Sequence, residues 1–156
     1  MFIRSIRTLA VGAILALGAS TGWAMDTDNS SKPSEPPGDY ELGLKEVRAG
    51  NYALALPFLQ KVVAKDAENA DAWNYIGFSQ RKLKRYDEAM TAYNKALAIK
   101  PDHRGANEYI GELYLETGKL ALAKERLKVL DSACFFGCEE YDELKAAIAA
   151  YEAKIN

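Results

Sequence analysis

The sequence predicts an all-α protein: three helical hairpins stacked in a row, closed by a single helix. Three observations carry that expectation. Leu42, Ile76 and Ile110 recur at intervals of 34 residues, and the same step links Gly43, Gly77 and Gly111, and again Ala55, Ala89 and Ala123. Within each period, apolar residues return at i, i+3 and i+4 in two stretches divided by a short turn, which is the spacing of a helix with one buried face. The composition is that of a folded chain. Of 156 residues, 49% are hydrophobic and 27% charged, unlike a disordered or collagen-like segment, and a length near 150 suits one core.

The chain opens on Met1 to Arg7, which carries Arg4 and Arg7 and no acid, and continues into the uncharged apolar run Leu9 to Ala19. That is the pattern of a secretory signal peptide; the run is shorter than the roughly 20 residues a membrane-spanning helix needs. Gly22 and Ala24 offer small residues for a cleavage site. Residues 1–24 are therefore expected to be removed, leaving a mildly acidic protein that is periplasmic or secreted; an uncleaved anchor is the alternative. Residues 25–38 hold Pro33, Pro36 and Pro37 among Ser, Asp and Asn with almost nothing apolar. They cannot offset the entropy of ordering and are expected to form a flexible leader.

The repeated body is expected over 39–156, with repeats at about 36–69, 70–103 and 104–137. In the first, Leu42, Gly43, Ala55 and Leu59 mark the two helices, with Gly50 at the turn and Pro57 about a turn inside the second helix, where it should bend or loosen it. In the second, Trp73, Ile76, Gly77 and Gln80 form one stripe and Ala89, Tyr93, Ala96 and Leu97 the other; Lys84 holds the turn and Pro101 stops the hairpin. Glycine within a helix costs about 1 kcal/mol relative to alanine, so Gly77 in phase with its counterparts points to a close approach between helices. Asp71 stands where an acid favours a helix start. The third has Asn107, Ile110, Gly111, Tyr114, Ala123 and Leu127, with Gly118 at the turn. Each hairpin needs a neighbour to bury its second face, and the last needs a cap. Residues 140–155 supply one, with Leu144, Ala147, Ile148 and Tyr151 on one stripe and Glu139, Glu140, Asp142 and Glu143 at the start.

The middle repeat, Trp73-x2-Ile76-Gly77-x2-Gln80, then Ala89-x3-Tyr93, then Pro101, resembles the tetratricopeptide repeat (TPR), departing at Gln80. The other two match less fully, with Asp39 and Ala67 in the first and Phe135 in the third at signature positions. The resemblance implies an α-α superhelix, a TPR solenoid, whose concave face is lined by four positions of each first helix. These are Tyr40, Leu44, Val47 and Arg48; Asn74, Phe78, Arg81 and Lys82; and Glu108, Glu112, Leu115 and Glu116. The stretches Glu108 to Tyr114 and Cys134 to Tyr141 are also similar to small secreted TPR proteins of proteobacteria. The implied function is a non-catalytic adaptor holding a protein or peptide along a groove with an apolar entry, a basic and amide middle and an acidic end. Tyr40, Leu44, Asn74, Phe78, Arg81, Lys82, Glu108 and Glu112 are the expected contacts. The Lys/Asn clamp by which some TPRs grip a terminal carboxylate is absent, since Tyr40, Leu44, Gly105 and Tyr109 occupy its places.

Little else carries chemistry. Cys134 and Cys138, spaced C-x3-C in a chain expected to be exported, read as a disulfide; a thiol-redox or copper-handling pair is the rival. The one histidine, His103, follows Pro101 and Asp102 and reads as a solvated loop residue. Trp73, Tyr86, Tyr93 and Tyr114 are assigned to the core. With 20 Lys+Arg against 22 Asp+Glu, the chain has no basic surplus for phosphates. No phosphate loop or Ser-His-Asp order is present. No catalytic residue, metal, cofactor, nucleic acid or small-molecule substrate is expected.

Overall fold

The computed structural model describes residues 38–155; the expected signal peptide and residues 25–37 of the expected leader lie outside the described residues. Seven helices follow one another there: α1 (Asp39–Arg48), α2 (Tyr52–Lys65), α3 (Ala70–Lys82), α4 (Tyr86–Ile99), α5 (Arg104–Glu116), α6 (Leu120–Ala133) and α7 (Glu139–Ile155). None is long and apolar enough to cross a membrane, and no strand occurs among the described residues. They pair as α1/α2, α3/α4 and α5/α6, with α7 packed on α5 and α6. The first helices, α1, α3 and α5, also touch in succession and continue into α7, forming one layer, with α2, α4 and α6 behind. This is the all-α superhelix of three hairpins and a cap that the sequence predicts.

The turns inside the hairpins repeat one geometry. Gly50 and Gly118 both sit at φ +76°, and Lys84 takes the same left-handed position at φ +62°. The next amide in each closes back on the helix, Asn51 onto Glu46, Arg85 onto Gln80 and Lys119 onto Tyr114, satisfying carbonyls the helix end would leave free. The turns between hairpins are held by side chains. Asn69 Oδ1 accepts the Ala72 amide at 2.9 Å, and His103 Nδ1 accepts the Ala106 amide at 3.2 Å. His103 is therefore not the solvated loop residue expected. It is buried, caps α5, and its Nε2 bonds Asp71 of α3 at 2.9 Å, which assigns the ring proton to Nε2 because Nδ1 is an acceptor. Trp73 Nε1 donates to Ala67 O and Asn107 Nδ2 to Pro101 O, each reaching back six residues to the same point of the preceding turn.

The core runs between the layers from Val47, Leu56 and Leu59, through Ile76, Tyr93, Ile110 and Leu113, to Leu130, Leu144 and Ile148. The recurrent glycines are contact points. A Cβ on Gly77 would lie 2.6 Å from the Tyr93 ring, and one on Gly111 2.6 Å from Leu144. The third glycine thus receives the cap rather than its own hairpin partner. Trp73, Tyr86 and Tyr114, assigned to the core from sequence, are only half-buried. Trp73 closes the outer edge with Lys95 Nζ 4.0 Å above its ring, because its indole N–H must reach a turn carbonyl. The helix α2 continues through Pro57, which is exposed and lies close enough to the helix start to forfeit one bond.

Candidate functional site

The faces of α1, α3, α5 and α7 turned away from the second layer form the inner surface. Along it runs a row of half-buried aromatics. Tyr40 packs edge-on against Tyr75 with centroids 6.4 Å apart, and Phe78 packs on Tyr109 at 4.8 Å and on Tyr52 at 5.8 Å. Leu44 is half-buried at the α1 end. Lys82 is exposed, its ammonium 5.1 Å over the Phe78 ring. Of the other positions the resemblance implies, Val47 and Leu115 are core and Arg48 is exposed.

Arg81 departs most from expectation. It is 3% exposed, its guanidinium pairs with Glu112, and Nη1 lies 2.7 Å from Glu116 Oε1. It also lies 5.6 Å over the Phe78 ring and 5.8 Å over that of Tyr109. Burial opposes its charge, but Tyr93, Glu112 and Glu116 more than restore it and raise its pKa above the ordinary value. In low dielectric a guanidinium without carboxylates would be prohibitively costly. Glu112 and Glu116, one turn apart on α5, supply them. The basic middle expected from sequence is therefore internally neutralised, and Arg81 braces α3 against α5 instead of offering itself to a ligand. Lys84 Nζ, 3.4 Å from Glu116, completes the cluster.

The acidic end is carried by residues the sequence indicates only in part. Glu108 is 3% exposed; burial first, then a hydrogen bond and repulsion from Glu143 of α7, with Glu112 and Glu140 adding to it, push its carboxyl up to about 9. Asn74 is 4% exposed, with no hydrogen-bond partner for Oδ1. Its Nδ2 lies 3.1 Å from where a Cβ on Gly105 would sit, one turn before Glu108. Sequence reasoning missed Tyr75, Tyr109 and Glu143. Tyr75 and Tyr109 stand 34 residues apart in one column, a usable signal; Glu143 had none, because only the docking of α7 brings it to α5.

Away from this face, Cys134 and Cys138 are bonded, with Cα atoms 5.6 Å apart. The loop they close presents Phe135 and Phe136, 87% and 96% exposed. Among the described residues no three His, Cys, Asp or Glu side chains gather as metal ligands. An open cleft of about 520 Å³ lies at the outer edge, between Pro101 and Val129; it contains none of the inner-face residues.

The family model for the tetratricopeptide repeat matches residues 70–103. A PEX5-related protein of Rattus norvegicus is 26% identical over 119 residues, 76% of this chain and 19% of that protein, so the chain spans about a fifth of that relative's length. Among solved structures, the Yersinia enterocolitica type III secretion chaperone SycD, in complex with a peptide of the translocator YopD, superposes with TM-score 0.64 at 19% identity, covering 76% of this chain and 92% of that one. The first TPR of Spaghetti (RPAP3), bound to an HSP90 peptide, gives 0.63 at 22% identity over 72% and 89%. At these identities the likeness establishes the fold, a TPR superhelix.

Proposed function

We propose that this protein is an exported adaptor, of the small secreted type found in proteobacteria, that holds an extended segment of a protein or peptide along the inner face of α1, α3, α5 and α7 and catalyses nothing. One observation carries the reading: the aromatic row Tyr40, Tyr75, Phe78 and Tyr109, left half-buried on that face. Clustered apolar rings open to solvent mark an interface, and a shallow helical groove suits a chain segment better than a small molecule. The structures of SycD with a YopD peptide and of RPAP3 with an HSP90 peptide, both on this fold, support it. Export is supported by the basic start and uncharged apolar run within residues 1–24, the pattern of a signal peptide.

The test is a crosslinking pull-down of the tagged full chain from its own cell envelope, followed by affinity measurement on whatever is captured. Truncating a central aromatic anchor costs roughly 2 kcal/mol or more, so Phe78→Ala should weaken binding about thirtyfold, measured where circular dichroism shows the variant folded, because Phe78 also packs on Tyr52 and Tyr109. Full affinity in Phe78→Ala, together with loss on changing the outer face of α4, would place the partner on the other side. Arg81 is unsuited to this test, since its removal strikes the fold.

A further inference from the structure

We infer that two copies of this chain pair about a two-fold axis, each seating its Phe135–Phe136 loop in the outer-edge cleft of the other. The pairing is independent of the groove, since the cleft contains none of the inner-face residues. The loop is the first observation. Phe135 and Phe136 are 87% and 96% exposed, and their rings meet edge-on with centroids 5.0 Å apart. The other exposed large apolar side chains, Leu54, Leu122 and Ile155, are less exposed and lie on three different helices. Scattered apolar side chains are ordinary, but adjoining bare rings mark a contact surface. The Cys134–Cys138 bond closes the loop that carries them, so little ordering remains to be done on docking.

The second observation is the cleft itself. Pro101, Val129 and Ala133 line it, its surface is mostly apolar, and its volume is about 520 Å³. A cavity of roughly 150 Å³ holds one benzene ring, so two phenyl rings fit. Ala133 directly precedes Cys134, which sets the cleft beside the loop, yet the chain's own rings stay outside it. A plug beside its own socket is self-complementary: one two-fold axis satisfies both copies and leaves no open end. Four rings bury about 600–1,000 Å² of their own surface. The clefts that receive them lose about as much again, which reaches the roughly 1,200–2,000 Å² of a stable interface. Charge agrees with this pairing. Lys100 and Arg104, with Glu140, line a smaller hollow that shares Asp102 and Ala133 with the cleft. Among the described residues none of these three makes an ion pair, and neither does Glu139, the first residue after the loop. The exchange brings each Glu139 toward the partner's Lys100 and the partner's Arg104.

Sedimentation velocity of the full chain across the micromolar range tests this, with circular dichroism to show each variant folded. The parent should sediment as a dimer. Phe135→Ser with Phe136→Ser, both at exposed positions, should raise the dimer dissociation constant at least about a hundredfold, because aromatic anchors are lost from both contacts. Ser132→Arg, which blocks the cleft from an exposed helix position, should do the same with the loop intact. Mixed together, the loop variant and the cleft variant should associate more tightly than either does alone, since one sound loop then meets one sound cleft. A monomeric parent, a dimer indifferent to either change, or a mixture no tighter than its components overturns the inference. So does a monomeric parent that floats with phosphatidylcholine vesicles unless both phenylalanines are replaced, a result that assigns the loop to a bilayer.

Discussion

Arg81 and Glu108 are both almost fully buried, yet they meet the cost of desolvation in opposite ways. Arg81 keeps its charge by pairing with Glu112 and Glu116; truncation leaves those carboxylates facing each other without their cation. Arg81→Ala should destabilise by roughly 2–3 kcal/mol, the low side of the range for buried pairs because both glutamates retain water. Chemical denaturation checks this, and a midpoint unchanged from the parent would show that the ion cluster does not brace α3 and α5. Glu108 instead gives up its charge, its carboxyl being pushed to about 9 by burial and by Glu143. The folded state then holds a proton that the unfolded chain releases above its ordinary glutamate pKa of about 4.3. That contribution is complete below the unfolded pKa and is lost as pH rises toward 9. Stability should therefore fall between about pH 5 and 9, by at least about 1 kcal/mol, and Glu108→Gln should flatten the slope. Melting curves across that range decide; a parent with no slope would sink the assignment.

The elements are positioned by columns of small and capping residues. A Cβ on Gly77 meets the Tyr93 ring at 2.6 Å, and Tyr93 is fully buried with no room to turn. Overpacking of this kind costs about 1–3 kcal/mol, against a gain of about 1 kcal/mol in helix propensity. Gly77→Ala should thus be neutral to destabilising by about 2 kcal/mol, where an exposed helical glycine would have been stabilised; calorimetry on the pair checks the sign. Asn69 and His103 show the same logic at helix starts. They are 34 residues apart and each caps the helix that follows, so a histidine alone in composition holds an asparagine's place in the repeat. The third turn breaks the series with a covalent link, and Cys134→Ser should lower stability by about 2 kcal/mol on the chain-entropy argument for so short a loop. A free-thiol assay on protein prepared without reductant should count none, and stoichiometric copper binding would favour the rival reading of the pair.

At the scale of the whole molecule, α7 is both a cap and a wall of the site. Leu144 fills the contact at Gly111, closing the last hairpin, and the same docking sets Glu143 against Glu108. The sequence by itself determined the helical hairpins, their number, their turns and the capping helix, because those depend on local spacing: a 34-residue column, a 3.6-residue stripe, a glycine where φ turns positive. The resemblance to the tetratricopeptide repeat also implied that Phe78, Glu108 and Glu112 share a face, since Phe78 and Glu112 hold the same place in successive repeats and Glu108 lies one turn before Glu112 on α5. The state of each side chain on that face was decided by tertiary structure. Whether Arg81 is offered to a ligand or consumed by Glu112 and Glu116, whether Glu108 is charged, and whether His103 is wet or capping all turn on neighbours from other helices. Burial and electrostatics are sums over groups distant in sequence, and no stripe or spacing records which carboxylate will lie beside which cation once the hairpins stack.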